Sequence, residues 1–251
     1  MQDIYIGDEG KGFPLVLVHG FLGSSIMWKP QIDFFKDHFR VITPDLPGFG
    51  KSNKAKLHSN IKSISNFLSD CLEEKKINKF HLLGHSMGGM IVQEMAKRYG
   101  NNISKLICYS TGPRGEMPGR FETVDETREN LKTKGLEIIA KNIAKTWFVE
   151  EDKAKYFNVC IEAGKQASMK AVDSSLIAFK NWNEVDTLKN IKNETLIIWG
   201  DKDKSYNFEQ IQTLEKNIEN SKLVIIKNCA HNAHLEKIEQ FNKIVFDFIK
   251  K

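Results

Sequence analysis

The sequence has few cysteines and no long apolar segment. Its 251 residues include four cysteines, which are far apart and form no C-x-x-C pair: Cys71, Cys108, Cys160 and Cys229. This spacing argues against both a disulfide framework and a cysteine-based metal site, so we expect four reduced, independent thiols. No stretch approaches the roughly 18 consecutive apolar residues of a membrane-spanning helix. We therefore expect no association with a membrane.

The beginning of the sequence argues against a secreted protein, and the distribution of charge argues against a nucleic-acid-binding protein. Residues 1–7 lack the basic cluster and the long apolar core of a secretory signal, so we expect a cytoplasmic protein. The formal net charge is +5, from 37 Lys and Arg against 32 Asp and Glu. The basic residues are scattered and form no stripe interleaved with aromatic residues, so nucleic-acid binding is not expected.

A G-x-S-x-G motif at residues 84–88 is the most informative feature that is present, and it centres on Ser86. The motif follows the apolar run at 79–83 and precedes the helix-like segment 90–99. A serine at such a strand-to-helix corner is typical of a nucleophile elbow, in which glycines let the two backbones pass close together. Ser86 is therefore the candidate nucleophile for attack on a carbonyl carbon.

A serine nucleophile also needs a carboxylate that orients its general base, and on this architecture the carboxylate precedes the histidine in the chain. The apolar, β-branched run at 194–199 reads as a buried strand that opens into a loop. That loop contains Asp201 and Asp203, and either could serve as the orienting acid or simply form an Asx-turn.

The general base is expected in the loop that follows the strand-like run 222–226. His231 lies in the loop itself and is the preferred base. His234 falls three residues later, at the start of the next helix, and remains the alternative. Packing or capping at a helix start is the simpler interpretation of His234.

Acyl transfer requires donors for the negative oxygen of the tetrahedral intermediate. The backbone N–H of Met87 follows the nucleophile at a helix N-terminus, where the dipole favours an anion. A second donor is expected from the loop after the strand at 15–18.

Three further motifs follow in a familiar order: His19-Gly20-Phe21 after the strand at 15–18, D-L-P-G-F-G-K-S at 45–52, and Gly200-x-x-Asp203. With these motifs nearly the whole chain resembles the α/β-hydrolase fold superfamily. It is most similar to the compact single-domain group of esterases, lactonases, carbon–carbon-bond hydrolases and perhydrolases.

The resemblance implies roles for particular residues. It implies that Asp203 is the triad acid, with Asp201 as the alternative, and that His231 is the base. It also implies that the backbone N–H of Phe21 is the second oxyanion donor. Phe21 and Met87 are then expected to wall the acyl pocket, and His19 is expected to hydrogen-bond within the oxyanion loop. Neither a cofactor nor a metal is expected.

The fold predicted from the alternating strand and helix patterns is α/β, with a mostly parallel sheet of about seven strands covered by helices on both faces. The family's first hairpin is shortened here, because only residues 3–7 precede the loop at 8–13. A helical cap is expected after the sixth strand of the family order. The predicted core domain comprises 1–111 and 187–251, and the predicted cap comprises 112–186.

The cap is predicted to contain helices at 124–134, 136–148, 152–164 and 170–182. Its aromatic residues are expected mostly to pack in the cap's own core, with one or two facing the substrate: Trp147, Phe148, Tyr156, Phe157, Phe179 and Trp182. Its arginines, Arg114, Arg120 and Arg128, are expected on the solvated surface.

These features predict a serine hydrolase that cleaves a small ester, lactone or thioester through an acyl-serine intermediate. Ser86 in place of Asp, and Phe21-Leu22 in place of a proline-bearing loop, argue against epoxide hydrolases and haloalkane dehalogenases. Two alternatives remain: carbon–carbon bond cleavage or a menaquinone-pathway-type elimination on the same triad, and a hydrolase-fold ligand receptor. The sequence identifies no protein partner, oligomeric state or natural substrate.

Overall fold

A computed structural model describes residues 4–115 and 120–250, and within them seven strands form one sheet. The strands are β1 Ile6–Glu9, β2 Pro14–Val18, β3 Arg40–Pro44, β4 Phe80–His85, β5 Ile103–Tyr109, β6 Thr195–Gly200 and β7 Ser221–Ile226. Their order in the sheet is β1-β3-β2-β4-β5-β6-β7. β1 is antiparallel to β3, and the other neighbours are parallel. The predicted α/β class with a mostly parallel sheet is confirmed.

The α-helices of the described residues are α1 Lys29–Phe35, α2 Ile61–Glu74, α3 Met87–Tyr99, α4 Val124–Lys134, α5 Leu136–Thr146, α6 Phe157–Lys165, α7 Met169–Lys180, α8 Phe208–Asn217, α9 Ala233–Glu236 and α10 Ile238–Ile249. Helices cover both faces of the sheet. Leu15 and Leu17 of β2 pack in one core cluster with α1 and α10. Val16 and Val18 pack in the opposite cluster with α2, α3 and α8. Burial on both faces explains why the strands read as almost continuous apolar runs.

The first strand differs from the expectation that a loop begins at Asp8. β1 runs from Ile6 to Glu9 and pairs with β3 through the register Ile6 to Pro44 and Glu9 to Val41. The Arg40 guanidinium donates to both carboxylate oxygens of Asp8, at 2.9 and 2.6 Å. A polar residue fits here because β1 is an edge strand with one side toward solvent.

The segment between β5 and β6 is helical, as expected, and contains α4 to α7. Thr123 and Glu126 form a capping box at the start of α4. Gly135, at φ +81°, separates α4 from α5. Three of these helices have bounds other than those expected: α5 ends at Thr146, α6 begins at Phe157 after a short 3-10 turn at Glu151–Lys153 and ends at Lys165, and α7 runs from Met169 to Lys180. The division into a core domain and a cap domain stays a prediction.

Between residues 4–115 and 120–250, no helix is both long and apolar enough to cross a bilayer. The same residues contain no group of three or more His, Cys, Asp or Glu side chains placed to hold a metal ion. All four cysteines are buried and free of disulfide bonds.

The contact between α3 and β2 leads to a stability prediction. A Cβ atom on Gly88 would lie 2.4 Å from the carbonyl oxygen of Val18 and 2.6 Å from that of His19. Since backbone atoms cannot move aside cheaply, Gly88→Ala should lower the free energy of unfolding by about 1–3 kcal/mol or more. Urea denaturation monitored by circular dichroism measures this change.

Gly100→Ala is the matched control for Gly88→Ala. Its backbone φ of −52° suits alanine, and a Cβ atom there would have only the Asn193 side chain nearby, at 3.1 Å. A loss of stability at Gly100 as large as that at Gly88 would contradict the explanation by backbone contact.

Candidate active site

Ser86 occupies a strained turn between β4 and α3. Its backbone has φ 55° and ψ −116°, a conformation that non-glycine residues rarely adopt and that functional sites often retain. The turn is held by hydrogen bonds on both sides: the Ser86 N–H donates to the Tyr109 carbonyl at 3.0 Å, and the Thr111 hydroxyl donates to the Ser86 carbonyl at 2.8 Å. The side chain therefore stands at the carboxyl edge of the sheet.

Two glycines make room for this turn. A Cβ atom on Gly84 would lie 2.2 Å from the Gly88 carbonyl oxygen, because the end of β4 and the start of α3 touch. A Cβ atom on Gly20 would lie 2.9 Å from the Ser86 Cβ. The loop after β2 thus passes directly beside the predicted nucleophile.

The structure brings His231 and Asp203 together. Asp203 follows β6, His231 follows β7, and the Asp203 Oδ2 lies 2.9 Å from the His231 Nδ1. The other carboxylate oxygen, Oδ1, accepts the backbone N–H groups of Ser205 at 2.7 Å and Tyr206 at 3.2 Å. Both side chains are almost completely buried. Ser86 and His231 line the same small cavity.

The two alternative residues lie elsewhere. Asp201 is 3.7 Å from the Nζ of the exposed Lys227, and no hydrogen bond or ion pair joins its carboxylate to a described histidine. The His234 imidazole is completely buried behind the site, with its Nδ1 3.1 Å from the Tyr109 hydroxyl. The geometry therefore pairs Asp203 with His231.

The His231 loop is anchored by contacts that the sequence patterns did not reveal. The Tyr109 hydroxyl donates to the His231 carbonyl at 2.8 Å. The Glu236 carboxylate accepts the Ala230 N–H at 2.7 Å and, through its other oxygen, the Val149 N–H at 2.7 Å. Neither Tyr109 nor Glu236 belongs to a motif, so only the assembled fold reveals these contacts.

His85 and His234 flank His231 as neutral rings. Burial lowers the pKa of His234 to about 3 and holds the pKa of His85 well below its ordinary value. His85 stacks on Tyr109 with a centroid distance of 4.6 Å, and its Nε2 is 3.2 Å from the His231 carbonyl oxygen. These contacts give His85 a structural position beside His231.

The predicted oxyanion donors lie on either side of Ser86. Met87 is the first residue of α3, and Phe21 follows Gly20 in the adjacent loop. No described residue accepts a hydrogen bond from either backbone N–H. His19 holds this loop, as expected: its Nδ1 is 2.8 Å from the Gly20 carbonyl oxygen, and its Nε2 accepts the Leu46 N–H at 2.9 Å.

The cavity beside Ser86 measures about 20 Å³, which is room for about one water molecule. Its described lining is Phe21, Ser86, Gly115, Arg120, Ile143, Trp147, Phe179, Ser205, Tyr206 and His231. Of the six cap aromatics, Trp147 and Phe179 reach it, which agrees with the expectation of one or two. Met87 does not line the cavity, although it was expected as a wall. The expectation of a surface position for Arg120 is wrong.

Tyr206 is a polar residue of the site that the motifs did not identify. Its side chain lines the cavity together with Ser86, and burial raises the pKa of its hydroxyl group to about 12. Its ring lies nearly parallel to the His231 imidazole, at a centroid distance of 5.9 Å. The position just after Asp203 in the chain was the one available signal.

The buried histidines generate a pH prediction. Because the pKa of His234 is depressed in the folded state, the unfolded chain binds a proton there between about pH 6.5 and 3 that the folded protein does not. The free energy of unfolding should therefore fall as the pH drops, by about 2 kcal/mol from this residue between pH 7 and 5. Urea denaturation at both pH values measures the decrease.

His234→Gln removes this proton-binding group and should reduce the decrease by the same amount. Titrating groups that do not interact with His234 contribute equally to both proteins and cancel in the comparison. An identical decrease in the parent protein and in His234→Gln would show that the prediction is wrong.

Most of the chain is similar in sequence to known hydrolases. Residues 14–238 match the family model described as alpha/beta hydrolase fold. The chain is 28% identical over 253 residues to the pimeloyl-[acyl-carrier protein] methyl ester esterase of Legionella pneumophila (strain Lens), covering 99% of this chain and 100% of that protein. It is 28% identical over 271 residues to the 2-hydroxy-6-oxononadienedioate/2-hydroxy-6-oxononatrienedioate hydrolase of Burkholderia vietnamiensis, covering 99% and 91%.

A solved structure agrees with these relatives. The esterase from Exiguobacterium antarcticum superposes with a TM-score of 0.92 at 26% identity, covering 99% of this chain and 96% of that one. The family match spans most of the sequence, and the sheet order and the strand-to-helix turn at Ser86 are described above. On these grounds the chain belongs to the α/β-hydrolase family.

Proposed function

We propose that this protein is a serine hydrolase that cleaves small carboxylic esters through an acyl-Ser86 intermediate. The observation that carries the proposal is the Asp203–His231 hydrogen bond at 2.9 Å beside a cavity that also contains the strained Ser86. The names of the relatives support it, because an esterase is found among both the similar sequences and the similar structures.

In the proposed reaction, the Ser86 Oγ attacks the ester carbonyl carbon while the His231 Nε2 takes the hydroxyl proton. Asp203 orients the imidazole through Nδ1 and stabilises its positive charge. The N–H groups of Phe21 and Met87 hold the oxyanion of the tetrahedral intermediate. His231 then protonates the departing alcohol, and water attacks the acyl-serine with His231 again as the base. The acid is released, and Ser86 regains its proton.

We also propose that residues 112–186 act as a cap over this site. Trp147 and Phe179 of this segment form cavity walls together with Phe21 of the core. So small a space would exclude bulk water from the acylation step and strengthen the electrostatic interactions within it.

Substitution of the proposed catalytic residues tests the mechanism. Ser86→Ala should reduce kcat for p-nitrophenyl acetate by several orders of magnitude. Asp203→Asn should reduce it by roughly 10⁴-fold, because the amide favours the wrong imidazole tautomer. Asp201→Asn is the matched control, since Asp201 lies near Lys227 and away from His231. Turnover that persists in Ser86→Ala, or a loss in Asp201→Asn equal to that in Asp203→Asn, would refute the assignments.

The narrow cavity predicts a preference for short acyl groups. Because only about 20 Å³ is free beside Ser86, a long chain must displace cap side chains before it can bind. In a series of p-nitrophenyl esters from acetate to octanoate, we expect kcat/KM to be highest at the short end. Ile143→Ala shortens a side chain in the cavity wall, which enlarges the cavity and should move the highest kcat/KM to esters with longer acyl chains. An octanoate optimum in the parent protein would contradict this prediction.

A further inference from the structure

We infer that the cavity beside Ser86 is built for a substrate that carries a carboxylate, and that Arg120 and Tyr206 form the subsite that binds it. This inference rests on the proposed ester hydrolysis and makes its substrate more specific. The expected substrates are short monoesters of dicarboxylic acids, with the ester carbonyl at Ser86 and the free carboxylate at Arg120.

The position of Arg120 is the first observation. Its side chain lines the cavity that contains Ser86 and His231. Its Nε is buried and has no hydrogen-bond partner. No carboxylate in residues 4–115 and 120–250 forms an ion pair with it. The side chain as a whole is only partly buried, and a partly buried charge without an ion-pair partner is stabilised when a ligand supplies an anion.

The other two cap arginines provide the comparison. Arg114 lies 3.2 Å from the Glu209 carboxylate, and Arg128 lies 2.7 Å from Asp173. Both are satisfied within the protein, whereas Arg120 contacts the Phe121 ring at 5.2 Å from its centroid. Burial lowers the pKa of Arg120, but a guanidinium remains charged near neutral pH. Arg120 therefore carries an available positive charge at the cavity wall.

Tyr206 extends this polar strip toward the nucleophile. Tyr206 lines the cavity together with Ser86, and it is close enough to Arg120 for an electrostatic interaction. With its pKa raised to about 12 by burial, the phenol stays protonated and can donate a hydrogen bond. Its backbone N–H donates to Asp203, so its position is coupled to the proposed catalytic pair.

The surrounding walls strengthen the selection for charge. Phe21, Ile143, Trp147 and Phe179 supply apolar surface, and Arg120 is the one permanently charged side chain among the described lining residues. A site that excludes bulk water makes a charge-assisted hydrogen bond stronger than it would be in water. A neutral substrate of the same shape would leave the guanidinium unpaired, which penalises its binding.

The test compares two esters of equal length in a pH-stat assay: monoethyl glutarate, which is anionic, and ethyl 5-amino-5-oxopentanoate, its neutral carboxamide analogue. The parent protein should hydrolyse the anionic ester with the higher kcat/KM. Arg120→Gln should reduce the ratio of the two kcat/KM values by at least about 10-fold. Arg120→Lys retains the charge and should retain part of the ratio. Arg114→Gln, whose arginine already has a carboxylate partner, should leave the ratio unchanged.

Binding of glutarate to the Ser86→Ala protein, followed by calorimetry, gives a readout that needs no turnover. A fall in glutarate affinity of at least about 10-fold when Arg120→Gln is added supports the carboxylate subsite. If glutarate binds in this way but the parent protein hydrolyses neither ester, the proposed ester hydrolysis is wrong and the subsite stands. The carboxylate subsite is wrong if Arg120→Gln changes neither the ratio of the two kcat/KM values nor the affinity for glutarate. The proposed ester hydrolysis still stands in that case, because both esters are hydrolysed. Circular dichroism of each variant verifies that it is folded.

Discussion

The close approach of three backbone segments at Ser86 is the constraint on which the rest of the site depends. The end of β4, the start of α3 and the loop after β2 meet there, and side chains at Gly20, Gly84 or Gly88 would separate them. Tight contact forces Ser86 into its left-handed conformation. It also places the N–H groups of Phe21 and Met87 beside the same side chain.

The parallel sheet then brings the remaining groups to this point. β6 and β7 are neighbours, so the loops that follow them leave the same edge of the sheet and hold Asp203 and His231 within hydrogen-bond distance. Tyr109, at the end of β5, reaches across to the His231 carbonyl. Asp203 and His231 therefore occupy positions set by strand order, although 28 residues separate them in the chain.

The sequence predicted those parts of the molecule that have local signals. Apolar runs marked the strands because both faces of the sheet are buried, and the turn at Ser86 was predictable because its glycines stand at fixed offsets. The choice between Asp201 and Asp203 required the fold, since both lie in one loop and only three-dimensional distance separates them. Arg120 was placed on the surface because the direction of a single cap side chain depends on packing between distant segments. The same holds for Tyr109 and Glu236, whose partners are more than 80 residues away or outside any motif.

The Glu236 carboxylate links two segments of the chain, the turn that contains Val149 and the loop that contains Ala230 and His231. One oxygen holds the Val149 N–H in the cap, and the other holds the Ala230 N–H next to His231. The Asn232 N–H adds a third link, to the Trp147 carbonyl. Because the two segments share one acceptor, the position of residues 147–149 and the position of the His231 loop are linked. A displacement of residues 147–149 would therefore also shift the loop that contains His231.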